Sequence, residues 1–212
     1  MIATVTPTEL VTDPVAEITP LAVPEPAATY PTRWRFTVTQ FERMGETGIL
    51  HEDDRVELIE GEIIAMCAIN SPHLGCVNRL NSLLMRQANE QMTVSIQNPV
   101  RLSRRSEPQP DVTVLHWRAD GYGSAMPTAA DVLLLIEVSD STLAYDRQVK
   151  LPLYAQADIA EVWIVNLNDN MVEIHTDPRG STYQQKRTIR VGESITPTLL
   201  PDLTLVVADI LL

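Results

Sequence analysis

The chain has 212 residues, 44% of them apolar and 21% charged, which is enough for one domain with a buried core. Its formal net charge of −12 argues against a protein that coats nucleic acid, because that binding sets Lys and Arg against phosphates. No stretch reaches the roughly 20 apolar residues of a membrane helix, and the N-terminus lacks the basic flank and apolar block of a secretory signal.

Residues 1–32 hold six prolines and four acids, with no Lys or Arg and no periodicity, and they read as a flexible or extended arm. The domain is expected over 33–212. Thr37 caps a predicted short helix through Met44, ended by Gly45 and Gly48. Arg55 to Met66 reads as two strands joined at Glu60-Gly61. Ser71-Pro72 marks a helix start with Ser71 as N-cap, and Leu74, Val77, Leu80, Leu84 and Ala88 follow at helical spacing. Met92 to Leu102 alternates as a strand, and Pro110 to Leu115 is a short strand that opens with an acid. Val132 to Val138 is an apolar run suited to a central strand buried on both faces.

Residues 143–157 are predicted helical, although Pro152 should disturb that helix. Val162–Val165 is another buried strand, turned by Asn168-Asp169-Asn170 into a hairpin, and Leu199–Leu212 contains at least one more strand. The order predicts an α/β fold, a mixed central sheet flanked by helices, with extra β-hairpins. Cys67 and Cys76 are not spaced as CxxC and have no Cys/His set around them. They read as buried thiols, consistent with a reducing cytoplasm.

Asp111 and Glu137 are the sharpest candidates for chemistry. A carboxylate inside the apolar run around Glu137 is costly unless something positive meets it. A divalent cation shared with Asp111 is one solution, and Mg²⁺ suits two carboxylates plus retained water. A salt bridge to Lys or Arg, or a wet strand end, is the other. Glu57, Glu60 and Glu62 form an acidic cluster, with Glu60 and Glu62 read as a solvated hairpin. His73 lies in the first turn of its helix, where it could meet a phosphate, orient water or pack. Arg101, Arg104 and Arg105 either approach a substrate phosphate or lie in a solvated loop. His116 and His175 read as structural. No Gly-rich phosphate loop, nucleophilic Ser motif or HExxH is present.

Asp111 followed by Glu137-Val138-Ser139 resembles the PD-(D/E)XK nuclease superfamily. ELIEGEI, SPH, QPDV, IEVSDST, YDRQVKLPLY and EVWIV, then Leu200-Pro201-Asp202-Leu203-Thr204-Leu205, resemble the Uma family of restriction-endonuclease-like proteins. The resemblance runs from about Arg33 to the end. It implies a restriction-endonuclease-like core, Mg²⁺ (or Mn²⁺) held by Asp111 and Glu137, and DNA as the substrate. It favours Glu57 as a third carboxylate and a functional His73. The superfamily lysine is replaced by Ser139, and the resemblance moves its role to Lys150, which shares a helical face with Asp146 and Tyr154. The rival expectation is a nuclease-fold binding or regulatory module with little activity, which the acidic charge favours.

Two outcomes are expected at this level. Deleting residues 1–30 leaves the melting temperature of the domain unchanged, as read by thermal unfolding. Light scattering at micromolar concentration gives the mass of a homodimer, the commonest oligomer and a natural arrangement for cutting two strands.

Overall fold

The computed structural model describes residues 32–51, 53–88 and 91–211. The arm assigned to residues 1–32 lies outside them up to residue 31. All elements below belong to the unit Trp34–Leu212.

Helix α1 (Val38–Glu46) starts at Thr37, whose hydroxyl accepts from Gln40 N while Gln40 Oε1 accepts from Thr37 N, a reciprocal capping box. It runs past Gly45, which lies inside the helix rather than ending it. Strands β1 (Val56–Ile59) and β2 (Glu62–Ala65) form the expected hairpin. Its turn residues both take positive φ, 48° at Glu60 and 81° at Gly61. A Cβ on Gly61 would come within 2.8 Å of Arg35 Cβ and 2.9 Å of Phe36 O.

Helix α2 (Ser71–Gln87) is capped by Asn70, not Ser71; Asn70 Oδ1 accepts from His73 N at 3.0 Å, and Ser71-Pro72 fills the first turn. Strand β3 (Met92–Ile96) is shorter than expected. Gln97 turns left-handed with φ 50°, and Pro99 cannot continue a ladder, so Val100 and Leu102 fall in a connecting segment.

Six strands make one mixed sheet in the order β3-β4-β5-β6-β7-β8, adding β4 (Val112–His116), β5 (Val132–Ser139), β6 (Glu161–Asn166), β7 (Met171–Arg179) and β8 (Thr182–Arg190). β5 and β6 are parallel and the other neighbours antiparallel. Every residue of β5 is buried, as its apolar run predicted. Leu134, Ile136 and Val138 share one core with Cys76, Val77, Leu80 and Leu84 of α2. Leu135 shares a second core with Leu115, Tyr154 and Val162. Strand alternation places Glu137 and Ser139 on the Leu135 face.

The connection from β5 to β6 is helical. It comprises α3 (Leu143–Tyr145), a π turn (Asp146–Lys150) and α4 (Leu151–Gln156). Leu151 N–H donates to Asp146 O, five residues back, and Pro152 sits directly after this widened turn. The expected disturbance by Pro152 therefore takes the form of a local widening, not a break.

Strand β8 has no counterpart in the sequence reading, because it is a polar edge strand, exposed along most of its length. At the C-terminus, β9 (Ser194–Ile195) pairs with β10 (Leu205–Val206), and the short helix α5 (Val207–Leu211) follows. Cys76 is buried as expected, but Cys67 is exposed, because it follows β2 in a segment outside the core. Among the described residues no helix is long and apolar enough to cross a membrane.

The Gly61 geometry gives a stability test. Gly48 has φ 72° with nothing within 4 Å of an added Cβ, whereas Gly61 combines positive φ with close backbone contact. Urea unfolding should show Gly48→Ala losing about 1 kcal/mol, from the left-handed backbone alone. Gly61→Ala should lose distinctly more, about 2 kcal/mol or above.

Candidate active site

Four elements converge on one cavity of about 270 Å³: the β1–β2 hairpin, the start of α2, the adjoining ends of β4 and β5, and the π turn. Glu57, Asp111, Glu137 and Asp146 bring four buried carboxyl groups to it, and Lys150 brings an ammonium group.

Lys150 projects from the π turn with its side chain 7% exposed; its Nζ lies 3.2 Å from Glu137 Oε1 and 3.3 Å from Glu57 Oε2. Burial alone would lower its pKa. Glu137, Glu57, Asp146 and Asp111 outweigh burial and raise it, so Lys150 stays protonated. Glu57 comes from β1, which lies against the segment leading to Asp111: Glu107 N donates to Leu58 O, and Gln109 N donates to Glu57 Oε2 at 3.1 Å.

Asp111 stands immediately before β4, beside Glu137 by the pairing of Val112 with Ile136. Its Oδ2 accepts from His73 Nε2 at 3.0 Å and from Val138 N at 2.9 Å, and its Oδ1 accepts from Gln97 Nε2 at 3.2 Å. Burial pushes this carboxyl up, but the His73 and Val138 donors prevail and hold it below the ordinary carboxylate value. The same bond to Asp111 raises His73 above its ordinary pKa. Burial pushes Glu137 up to about 8; Lys150 pulls it down, while Asp146 and Asp111 add to the rise. Tyr154 O–H donates to Glu137 Oε1. Burial also raises Asp146, whose Oδ2 accepts from Ser139 Oγ and Thr142 Oγ1, each at 2.7 Å.

The structure thus brings together Glu57, His73, Asp111, Glu137 and Lys150. It does not bring Glu60 or Glu62 into the cavity; Glu62 pairs outside it with Arg35 at 2.9 Å. Arg101 is committed to ion pairs with Glu42 and Glu107, and Arg104 and Arg105 lie outside the cavity. Arg55 lines it. His175 is buried beside Glu173, and His116 is exposed at the end of β4.

Three participants were missed as site residues: Asp146, Gln97 and Gln109. The four-residue spacing from Lys150 was the available signal for Asp146. The two glutamines have no local signal, since they meet through the left-handed turn at Gln97, whose carbonyl accepts from Gln109 Nε2.

Among the described residues no group of three or more His, Cys, Asp or Glu side chains is arranged to hold a metal ion. An open site remains compatible with the donors present. Mg²⁺ needs only one or two carboxylates with water completing its shell, and the donors here are oxygens carrying more negative charge than Lys150 offsets. Burial is the main reason Glu137 sits above its ordinary value, and the neighbouring Asp146 and Asp111 add to it. Asp111 and Glu137 therefore fit a hard divalent cation at the cavity.

A mixed sheet with a parallel central pair, and carboxylates clustered with a lysine at one end, defines the restriction-endonuclease-like class of α/β proteins. The family model described as "Putative restriction endonuclease" (Uma2) matches residues 38–208, and the chain belongs to that family. The crystal structure of a "putative nuclease belonging to DUF820" from Anabaena variabilis ATCC 29413 has the same fold, with a TM-score of 0.61. It is 17% identical, and the match covers 83% of this chain and 97% of that one. No curated protein matches the chain.

The buried carboxyl at position 137 sets a pH test. Folding raises its pKa from 4.5 to about 8, so between those values the native state binds more protons than the unfolded state. This group's contribution to stability therefore falls as pH rises through that window. In metal-free buffer, Glu137→Gln should melt higher than wild type at pH 8, by at least about 2 °C. The gap should close towards pH 4.5, as followed by circular dichroism.

Proposed function

We propose that this protein is an endonuclease that hydrolyses phosphodiester bonds in DNA with Mg²⁺ as cofactor, Mn²⁺ serving as substitute. The observation that carries the reading is the placement of the Lys150 ammonium between Glu57 and Glu137, in the same cavity as Asp111. Asp111 and Glu137 would hold the ion. When bound, the ion supplies Lewis acidity towards the scissile phosphate and a lowered pKa for an attacking water.

The chain's own groups account for the rest. Lys150 is kept protonated by its carboxylates, so it can orient the water or donate to the negative charge that develops on the phosphate. Glu57 and Asp146 hold Lys150 in place rather than meeting the substrate. His73 donates to Asp111 and fixes the direction of that carboxylate's free lone pairs. His73 Nδ1 and Tyr145 O–H are buried without partners, so the cavity wall retains polar groups for water or a phosphate oxygen. Arg55 supplies a local cation in a chain that is acidic overall.

The engagement of both Asp111 oxygens by His73, Val138 and Gln97 favours the second reading, a binding module that has kept the site without turnover. Two measurements separate them. Calorimetric titration with Mg²⁺ or Mn²⁺ should show binding that Asp111→Ala abolishes; an inactive module shows no site-dependent binding. Incubation with plasmid and single-stranded DNA should show cleavage only with the metal. Lys150→Ala should slow that cleavage at least about 10²-fold while leaving the circular dichroism spectrum unchanged. Cleavage by Lys150→Ala at the wild-type rate would remove Lys150 from the chemistry.

A further inference from the structure

Another buried carboxylate, outside the cavity, is tied to the same π turn. Glu173 on β7 is fully buried, and it meets three cationic or protonatable groups: Arg147, Lys186 Nζ at 2.9 Å and His175 Nε2 at 3.4 Å. Both of its oxygens accept from the Arg147 guanidinium. Arg147 belongs to the π turn that also carries Asp146 and Lys150.

The sheet register links this pair to the site. Glu137 pairs across to Ile164, and Ile164 pairs across to Glu173. Residues paired in adjacent strands point to the same face, so Glu137 and Glu173 lie in one row, two strands apart, beneath the π turn. The turn thus reaches down with two cations, Lys150 to Glu137 and Arg147 to Glu173. A π turn holds one residue more than the α-helix on either side, and such turns are rare and metastable. A bidentate arginine contact to a buried carboxylate is directional enough to hold one in register.

We infer that Glu173 is a positioning residue for Lys150, acting through Arg147 and the register of the π turn between them. This rests on the reading of Lys150 as part of the reacting site. Without the Arg147 anchor the turn is free to rewind towards α geometry, which would rotate Lys150 away from Glu57 and Glu137. Lys186 would still pair with Glu173 in that case, so loss of Arg147 leaves no unpaired buried charge.

The chain holds two lysines, Lys150 and Lys186, so amine chemistry reads the turn directly. Native full-length protein is treated with an amine-acetylating reagent, and modification at each lysine is followed by mass spectrometry. In wild type, Lys186 is modified and buried Lys150 is protected. In Arg147→Met and in Glu173→Gln, Lys150 becomes modified under the same conditions, with a native circular dichroism spectrum as the control for folding. A single folded variant of the two is sufficient. In the cleavage assay the same variant loses about 10²-fold in turnover, with KM little changed. If Lys150 stays protected in a folded variant, the positioning role is wrong, whatever the cleavage assay shows. If wild type cuts nothing with metal, the nuclease reading fails, while the acetylation pattern still decides the positioning role.

Discussion

A buried ammonium group among buried carboxylates governs the shape of this molecule. Burying a charge alone is costly, so the ammonium and the carboxylates each lower the cost of burying the other. Glu57 arrives from a hairpin, Asp111 from the start of one strand, Glu137 from the middle of the central strand and Lys150 from a helical crossover. A shift in any of these elements would strand a charge without a partner. The hydrogen bonds from Gln109 N to Glu57 and from Val138 N to Asp111 tie the backbone itself to the cluster. The polar centre is therefore anchored to the backbone on either side of it.

The two faces of the sheet divide the work. One face is packed with aliphatic residues from β4, β5, β6 and α2 and supplies most of the cohesion. The other carries a smaller apolar cluster around Tyr154 and Leu135, and it makes room for Glu137, Ser139 and Glu173. Tyr154 bridges the two roles, since its ring packs with Leu135 and Val162 while its hydroxyl donates to Glu137. A central strand buried on both faces can carry an acid only because its second face is asymmetric in this way.

Much of this was legible in the sequence. Val132–Val138 announced the central strand, Thr37 and the Ser71-Pro72 step located two helices to within a residue or two, and Glu60-Gly61 marked a hairpin. Glu137 stood out because it interrupts an apolar run, and Lys150 because the family resemblance points to it, on one helical face with Asp146 and Tyr154. What could not be read were features fixed by distant partners. β8 has no apolar alternation because it is an edge, and among the described residues its one strand partner is β7. The end of β3 depends on Gln97 adopting a left-handed backbone, which nothing in its side chain demands. In isolation Arg101 was open to either a phosphate contact or a solvated loop, and only the fold shows Glu42 and Glu107 waiting for it.

The open edge at β8 has a consequence for how the protein behaves in a crowded solution. Among the described residues no strand pairs with its outer side, so alternate residues of this strand turn backbone donors and acceptors away from β7, an arrangement that invites sheet-to-sheet fusion. Lys186, Arg187 and Arg190 stand along that strand, and a second copy docking edge to edge would bring the same cations face to face. Like charges set opposite one another repel, so that row of cations disfavours such pairing.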